Sequence, residues 1–214
     1  MAGCCDPRGC DEFFGDKFAR RVAKRYRKRG LDKTSKRIVA FLERSGVQGA
    51  TVLEIGGGVG EIQLELLKRG AASAINLELS TAYDVEARRL LREAGIDEGR
   101  VERRRHDIAE DPEGVEPADV VVLHRVVCCY PDYERLLGAA ASHARHALVF
   151  SHPPRNLASR AFIAMQGVAL RLGRKEFRAF AHPPLAMLDV CRSHGLSATD
   201  AHRGLVWHVE GLSR

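Results

Sequence analysis

The sequence predicts an α/β fold: a seven-stranded, mostly parallel sheet with helices on both faces, an antiparallel last strand and an N-terminal helical cap. From Ala50 onward, short apolar runs alternate with amphipathic segments, the pattern of strand-helix-strand units in a parallel sheet. Before Ala50, two segments have helical spacing and precede the first strand. We therefore expect a helical cap over residues 1–48 and a sheet domain over 49–214.

The individual elements follow from local patterns. Apolar residues at four-residue intervals predict a first helix with an N-cap at Asp11 and an end at Gly30, and a second helix is expected between Asp32 and Gly46. The predicted strands are Thr51–Ile55, Ser73–Glu78, Val101–Arg105, Asp119–Leu123, Ala147–Phe150, Ser197–Arg203 and Leu205–Glu210. An apolar lid helix with basic flanks is expected over about 156–180, followed by a helix over Pro184–His194.

The basic residues are concentrated in one segment. The net charge is +6, but Arg20 to Arg37 alone holds ten Lys or Arg residues against one acid, so the rest of the chain is slightly acidic. Such a helix is either a solvated face or a surface for nucleic acid, anionic lipid or an anionic small molecule. The sequence shows neither a signal peptide nor a membrane span, so we expect a cytoplasmic location without stable membrane insertion.

A glycine-rich turn follows the first strand. Glu54 ends the strand, and Gly56, Gly57, Gly58 and Gly60 then lead directly into a helix. Glycines permit positive φ and close approach of the backbone to a ligand. A dinucleotide fingerprint would need a further glycine at position 61, which is a glutamate. Glu54 is suited to a cationic amino-acid ammonium rather than to a pyrophosphate.

Two further acids end the next two strands. Glu78, beside Leu79, can accept both hydroxyl protons of a ribose, and Asp107 can accept from an adenine amino group while Ile108 packs on the ring. Any one of these acids is an ordinary strand end, but acids at the ends of three successive strands predict an adenosyl site. Leu123 and His124, at the end of the fourth strand, complete the expected cofactor site.

These motifs resemble those of the class I S-adenosylmethionine-dependent methyltransferases, over roughly residues 49–214. The resemblance implies a Rossmann-like fold and S-adenosylmethionine as cofactor. It also implies that Gly56, Gly58 and Gly60 line the methionine and ribose, that Glu78 holds the ribose, and that Asp107 and Ile108 hold the adenine.

A second likeness covers more of the chain. The segments 31–42, 119–122, 130–131 and 149–154 resemble the magnesium-protoporphyrin O-methyltransferases, which methylate a propionate on a hydrophobic tetrapyrrole. The sequence departs from that family at three places. Glu54 replaces the usual Asp, Gly57 replaces the usual Cys, and Cys128-Cys129 replaces an apolar residue and His.

The loop after the fourth strand, residues 123–132, is expected beside the methyl group. It lacks the Asn/Asp-Pro-Pro-aromatic element of enzymes that methylate amides or exocyclic amines, so a carboxylate, thiol or phenol acceptor is favoured. The catalytic candidates are His124, His152 and Tyr130, and the substrate candidates are Cys129, Tyr130, Arg155 and Tyr26. Each histidine is either a general base or a donor to a carbonyl, and Arg155 is either a carboxylate clamp or a surface residue.

The cysteines leave a second interpretation open. Cys4, Cys5 and Cys10 lie on a segment that can fold near Cys129, where a thiolate cluster would bind a soft metal or metalloid, although no Cys-x-x-Cys zinc motif is present. The leading prediction is O-, S- or carboxyl methylation of a small molecule by a monomer or homodimer. The alternatives are methylation of a thiol or metalloid, a thiol or metal sensor without catalysis, and RNA methylation. RNA is disfavoured because only Tyr26 interrupts the basic segment.

Overall fold

The computed structural model describes residues 14–172 and 178–214. The helices are α1 (Asp16–Arg29), α2 (Lys33–Arg44), α3 (Glu61–Lys68), α4 (Asp84–Glu93), α5 (Tyr133–His143), α6 (Leu157–Leu172) and α7 (Pro184–Ser193). The strands are β1 (Thr51–Ile55), β2 (Ser73–Leu77), β3 (Val101–Arg104), β4 (Ala118–Leu123), β5 (Ala144–His152), β6 (Ser197–Arg203) and β7 (His208–Ser213). Short 3₁₀ turns cover Thr81–Tyr83, Glu98–Arg100 and Val127–Cys129.

The seven strands form one sheet in the order β3-β2-β1-β4-β5-β7-β6. Strands β1 to β5 pair in parallel, whereas β7 is antiparallel to both β5 and β6, so the predicted fold class is confirmed. Strands β2 and β4 lie on opposite sides of β1, which makes the carboxyl ends of β1 and β4 the switch point of the sheet. Open α/β sheets bind their ligands in the crevice at that point.

Helices cover both faces of the sheet because side chains alternate along the buried strands. On β4, Val120 and Val122 pack with the layer formed by α1 to α4. Val121 faces the opposite layer, where Leu137 of α5 and Met187 of α7 lie. Burial on both faces explains why β4 reads as a continuous apolar run.

Helices α1 and α2 share the hydrophobic cluster of the sheet. Ala23 of α1 and Ile38 of α2 are fully buried in the same layer as the helices that follow β1 and β2. Asp32 caps α2 by accepting hydrogen bonds from the backbone N–H groups of Thr34 and Ser35. Helix α1 has Gly15 as its N-cap and begins at Asp16, later than expected; the expected N-cap, Asp11, lies outside the described residues. The division at residue 48 stays a prediction.

The last strand differs most from the expectation. It begins at His208 rather than at Leu205, because Gly204 to Trp207 forms the turn between β6 and β7. Leu205 and Val206 are 97% and 66% exposed. An apolar pair predicted a strand there, but the register of the hairpin places it at the turn. Helix α6 is described from Leu157 to Leu172, which confirms a helix over the first part of the expected lid segment.

In the described part of the chain, no helix combines the length and the apolar character that are needed to cross a membrane.

A substitution at Gly211 of β7 tests the packing of α2 against the sheet. A Cβ atom at this position would lie 2.7 Å from Cε2 of the buried Phe41 ring. We expect Gly211→Ala to lower the free energy of unfolding by about 1–3 kcal/mol, measured by urea denaturation, because the core is overpacked. Adding Phe41→Leu should restore part of the loss.

Gly99→Ala is the matched control. A Cβ at Gly99 would lie 3.4 Å from the Asp97 carboxylate, an ordinary contact, so its effect should stay within about 0.5 kcal/mol. Equal stabilities of the Gly211 and Gly99 variants would contradict the close packing of α2 on β7.

Candidate active site

The glycine loop after β1 depends on backbone conformations that other residues rarely adopt. Gly56 and Gly58 have φ angles of 63° and 54°, in the left-handed region. At Gly56, a Cβ atom would also lie 2.5 Å from Cγ2 of Val126, in the loop after β4. The loops that follow the two central strands are therefore in direct contact, and a side chain at Gly56 would force them apart.

Glu78 links this loop to the end of β2. Its Oε2 accepts a hydrogen bond of 2.9 Å from the Gly58 N–H, and its Oε1 accepts from the N–H groups of Leu79 and Ser80. Burial raises the pKa of Glu78, and the three N–H donors and Arg103 oppose that rise. The carboxylate is thus held in place by backbone donors on two loops.

Glu54 is the most deeply buried acid of the site. It is 2% exposed, and its Oε2 accepts a hydrogen bond of 3.1 Å from the backbone N–H of Gln63. Burial raises the pKa of Glu54 to about 8, with the neighbouring Glu61 as the next cause. A Cβ at Gly57 would lie 2.8 Å from its carboxyl carbon, so the glycine makes room for this side chain.

Tyr130, an expected catalytic and substrate residue, lines the cavity and contacts Asp107, the residue expected to hold the adenine. Its hydroxyl donates to Oδ2 of Asp107 at 3.1 Å, and Oδ1 of that carboxylate also accepts from the Ala109 N–H. The 3₁₀ turn Val127–Cys129 reverses the chain after β4 and directs the ring towards the loop after β3. Ile108, beside Asp107, is buried and lines the same cavity.

His124 belongs to a buried hydrogen-bond network. Its Nδ1 lies 2.9 Å from Oγ of Ser151, which also accepts from the Arg125 N–H. Its Nε2 lies 3.3 Å from Oγ of Ser35, which in turn donates to the Asp32 carboxylate. This pattern fits a neutral ring that carries its hydrogen on Nε2. Burial, together with the charge of Arg125, lowers the pKa of His124 to about 3.

Arg125 is a site residue that sequence reasoning missed. It has a φ of 63°, Nη2 donates to Oδ2 of Asp32 at 2.6 Å, and the guanidinium lies 5.2 Å from the centre of the Trp207 ring. Its buried Nε has no hydrogen-bond partner among the described residues. A non-glycine residue in the left-handed region is unusual and often marks a functional site.

Asp32 joins two arginines at the entrance to the site. Its Oδ2 accepts from Arg125 and also lies 3.8 Å from Nη2 of Arg25, on α1. Although burial acts in the opposite direction, the Ser35 N–H and the Arg125 charge lower the pKa of Asp32 to about 2. The sequence indicated Asp32 only as a helix cap. Its pairing with a residue 93 positions away has no local signal.

These residues surround a cavity of about 380 Å³. The glycine loop, Glu54, Glu78 and Asp107 form one side. Helix α1 contributes the opposite side. The lining residues from α1 and the segment before it are Phe14, Phe18, Arg21, Val22 and Arg25, and further residues that were not predicted are Glu61, Tyr83, His106, Arg125 and Val126. The cavity therefore combines acceptor oxygens, an apolar wall and a group of arginines.

Three expected acceptor-side residues lie away from the cavity. His152 is 2% exposed between β5 and β7, where its ring nitrogens contact the Pro153 carbonyl and Glu210. Arg155 is on the surface beyond β5. Tyr26 faces α3, where its hydroxyl donates to Glu65, so it is not an exposed stacking platform within the basic segment. From their positions in the chain, these three residues are expected near the acceptor. In the structure, their side chains do not line the cavity.

Among the expected cofactor residues, Leu79 lines the cavity, whereas Leu123 and Gly60 do not. Leu123 is fully buried in the sheet. Gly60 starts α3, and its N–H donates to the Gly57 carbonyl. Of the cysteines, Cys129 lines the cavity. Cys4, Cys5 and Cys10 lie outside the described residues.

The comparisons agree with this geometry. Residues 19–195 match a family model described as a methyltransferase domain, and no curated protein matches the sequence. A similar solved structure is magnesium protoporphyrin IX methyltransferase from Synechocystis PCC 6803 with bound S-adenosylhomocysteine, at 18% identity and a TM-score of 0.73, covering 95% of this chain and 97% of that one.

Two other similar structures are larger proteins. An O-methyltransferase family protein from Burkholderia thailandensis is 20% identical with a TM-score of 0.67, covering 94% of this chain and 63% of that one. Human N-acetylserotonin methyltransferase is 14% identical with a TM-score of 0.63, covering 93% of this chain and 55% of that one. These likenesses show a shared fold, and the family match extends over most of the sequence. The chain belongs to the methyltransferase domain family and is a class I, S-adenosylmethionine-dependent methyltransferase.

Proposed function

We propose that the enzyme methylates an oxygen or sulfur atom of a small acceptor that binds as an anion, with a carboxylate as the first choice. The observation that carries this proposal is the state of His124, the expected general base. Both of its ring nitrogens are engaged by serine hydroxyls, and its pKa is about 3. An acceptor that arrives already deprotonated needs no such base.

The cofactor site supports a defined orientation. The groups that the cavity presents near the glycine loop are mostly acceptors, and they suit the hydrogen-bond donors of the cofactor. We assign Glu54 to the ammonium, Glu78 to the ribose hydroxyls, and Asp107 with Ile108 to the adenine. An ionised carboxylate has about four acceptor sites, so the three N–H groups leave Glu78 about one, on Oε2, for the ribose hydroxyls to share. The bound sulfonium supplies the activated methyl group.

The arginines support an anionic acceptor. Arg21, Arg25 and Arg125 line the cavity, and Asp32 and Glu61 offset part of their charge. The unpartnered Nε of Arg125 leaves that guanidinium with unused donor capacity. The exposed cations of α1 and α2 add a positive field around the entrance, which raises the local concentration of an anion.

The chain's contribution to methyl transfer is mainly alignment. The cavity holds the acceptor against the methyl group, which makes the reaction effectively unimolecular. The apolar side chains of Phe14, Phe18 and Val22 exclude water and strengthen the charge contacts inside. Similar solved structures carry names of small-molecule methyltransferases, which supports an acceptor of this size.

A screen with labelled S-adenosylmethionine tests the acceptor class. We expect label in small organic acids that is released as methanol by mild alkali, because a methyl ester hydrolyses under these conditions and a methyl ether or thioether does not. Label that appears only in RNA, in protein or in an alkali-stable N-methyl product would contradict the proposal.

Arg25→Gln tests the role of the arginines. We expect the KM for the acceptor to rise roughly tenfold, the loss of one charge-assisted hydrogen bond, with little change in kcat or in the affinity for S-adenosylhomocysteine. Lys28→Gln is the matched control, since Lys28 is exposed on the same helix and does not line the cavity. Equal KM values for the two variants would exclude Arg25 from the acceptor site.

Glu78→Ala tests the ribose assignment. Loss of a charged acceptor for two hydroxyl groups should weaken S-adenosylhomocysteine binding roughly 10- to 100-fold in calorimetry. The exposed Glu113→Ala is the control, and Glu78→Gln, which keeps one carbonyl acceptor, should fall between the two. Unchanged affinity in a folded Glu78→Ala protein would remove the assignment.

Glu54 makes cofactor binding dependent on pH. The pKa of Glu54 is about 8 in the ligand-free protein and 4.5 in the unfolded chain. Between these pH values the folded protein binds the proton more tightly, so the contribution of Glu54 to the stability of the ligand-free fold falls as the pH rises. A bound ammonium favours the carboxylate form. At about pH 6.5, where an α-ammonium is charged, we therefore expect proton release on binding.

Calorimetry in two buffers of different ionisation enthalpy measures this release. The apparent binding enthalpy should depend on the buffer for the wild type and should lose that dependence in Glu54→Gln. The affinity of the wild type should rise with pH until Glu54 is ionised in the free protein. The same buffer dependence in both proteins would show that the proton comes from another group.

A further inference from the structure

Two adjacent thiols, one of which lines the cavity, have no role in the proposed methyl transfer. Cys128 and Cys129 lie in the 3₁₀ turn after β4, and their Sγ atoms are 3.7 Å apart. Cys128 is 7% exposed, whereas Cys129 is half-buried and lines the cavity. The pair is therefore reachable from the cavity through Cys129.

The separation of the two sulfurs matches joint coordination of one atom. Two thiolates bound to a single tetrahedral zinc ion, with Zn–S bonds of about 2.3 Å, stand about 3.8 Å apart. Cys128 and Cys129 have nearly this separation. A pyramidal arsenic(III) atom has a narrower angle between its sulfur ligands, so it requires the two side chains to move only slightly closer. Soft sulfur ligands select soft, thiophilic partners.

The surroundings of Cys128 favour its thiolate form. The contact with Cys129 lowers the pKa of Cys128, and the charge of Arg125 acts in the same direction although burial opposes it. Both thiols donate to the Arg125 carbonyl oxygen, at 3.7 Å and 3.6 Å, so the two sulfurs converge on one atom. By contrast, burial raises the pKa of Cys191, on α7, to about 12. Thiolate character is what makes a cysteine reactive, and the pKa shifts of Cys128 and Cys191 have opposite directions.

The turn that carries the pair is held on both sides. The Cys128 carbonyl accepts a hydrogen bond of 2.7 Å from the Phe180 N–H, and the Tyr130 carbonyl lies 2.9 Å from Nε2 of His182. Within the turn, the Cys129 N–H donates to the Val126 carbonyl. A ligand that needs both sulfurs meets them already in position, which lowers the entropic cost of binding.

The number of protein ligands at the cysteine pair determines which kind of atom the pair can bind. Over residues 14–172 and 178–214, no group of three His, Cys, Asp or Glu side chains is arranged to hold a metal ion. A structural zinc site needs four protein ligands. A trivalent organoarsenical needs only two sulfurs, because the organic group occupies its third position. We propose that Cys128 and Cys129 together bind one trivalent arsenical at the wall of the cofactor cavity.

The chemistry of this capture is balanced without an oxidant or reductant. An organoarsenic(III) oxide reacts with the two thiols so that two As–S bonds form and the arsenic-oxygen bond breaks. The oxygen leaves as water with the two thiol protons, and arsenic remains trivalent. This binding does not depend on methyl transfer, so it can fail while the proposed function stands, and the reverse also holds.

One equivalent of phenylarsine oxide, added to the reduced full-length protein, tests the site by intact mass. We expect one phenylarsenic group per chain that survives an excess of a monothiol and is released by a dithiol, because two sulfurs hold it. The triple variant Cys4→Ser, Cys5→Ser, Cys10→Ser and the single variant Cys191→Ala should keep the adduct. In Cys129→Ala and in Cys128→Ala, the monothiol should remove the phenylarsenic group, because only one of the two sulfurs remains.

Binding of S-adenosylhomocysteine and the melting temperature establish that each variant is folded. Cys129→Ala is the decisive variant, because its side chain is half-buried and its removal disturbs the core less than removal of Cys128. A monothiol-resistant adduct in folded Cys129→Ala would overturn the proposal. So would an adduct that is lost in the triple serine variant, since the N-terminal cysteines would then hold the arsenic.

Discussion

The hydrogen bond from the Gly58 N–H to the Glu78 carboxylate is the contact on which the site depends. It joins the loop after β1 to the end of β2, and it forms only because the loop adopts left-handed φ angles. On the other side of the loop, Gly56 lies against Val126. The loops after β1, β2 and β4 are therefore coupled, and the cavity wall is one connected structure rather than three separate turns.

The same arrangement concentrates buried acids. Glu54, Glu61 and Glu78 surround the loop, and burial raises the pKa of all three. Desolvated like charges destabilise a fold unless a cation or several donors compensate them. Backbone N–H groups compensate Glu78. Within residues 14–172 and 178–214, Glu54 accepts only the Gln63 N–H, and its pKa is raised to about 8. A cationic ligand at Glu54 would relieve this, which is why strongly perturbed acids in a cleft indicate a functional site.

The N-terminal helices build the end of the cavity to which we assign the acceptor. Asp32 caps α2, pairs with Arg125 after β4 and receives the Ser35 hydroxyl that contacts His124. One carboxylate thus connects the two N-terminal helices, the central strand β4 and the histidine. The charge of Arg125 and the burial of the ring keep His124 neutral. These two properties are the basis of the proposal that the acceptor binds as an anion.

The sequence by itself determined the order of strands and helices, the fold class and the cofactor motif. These features depend on local periodicity, on glycines that permit unusual φ angles and on acids at strand ends, all of which are written into short stretches of chain. The last strand was predicted to begin within the turn Gly204 to Trp207, because the exposed residues Leu205 and Val206 have the apolar character of a strand. Only the tertiary structure decided which side chains enter the cavity. His152, Arg155 and Tyr26 point elsewhere, and Arg125 meets Asp32 from 93 residues away, because packing between distant elements sets side-chain direction and no local pattern encodes it.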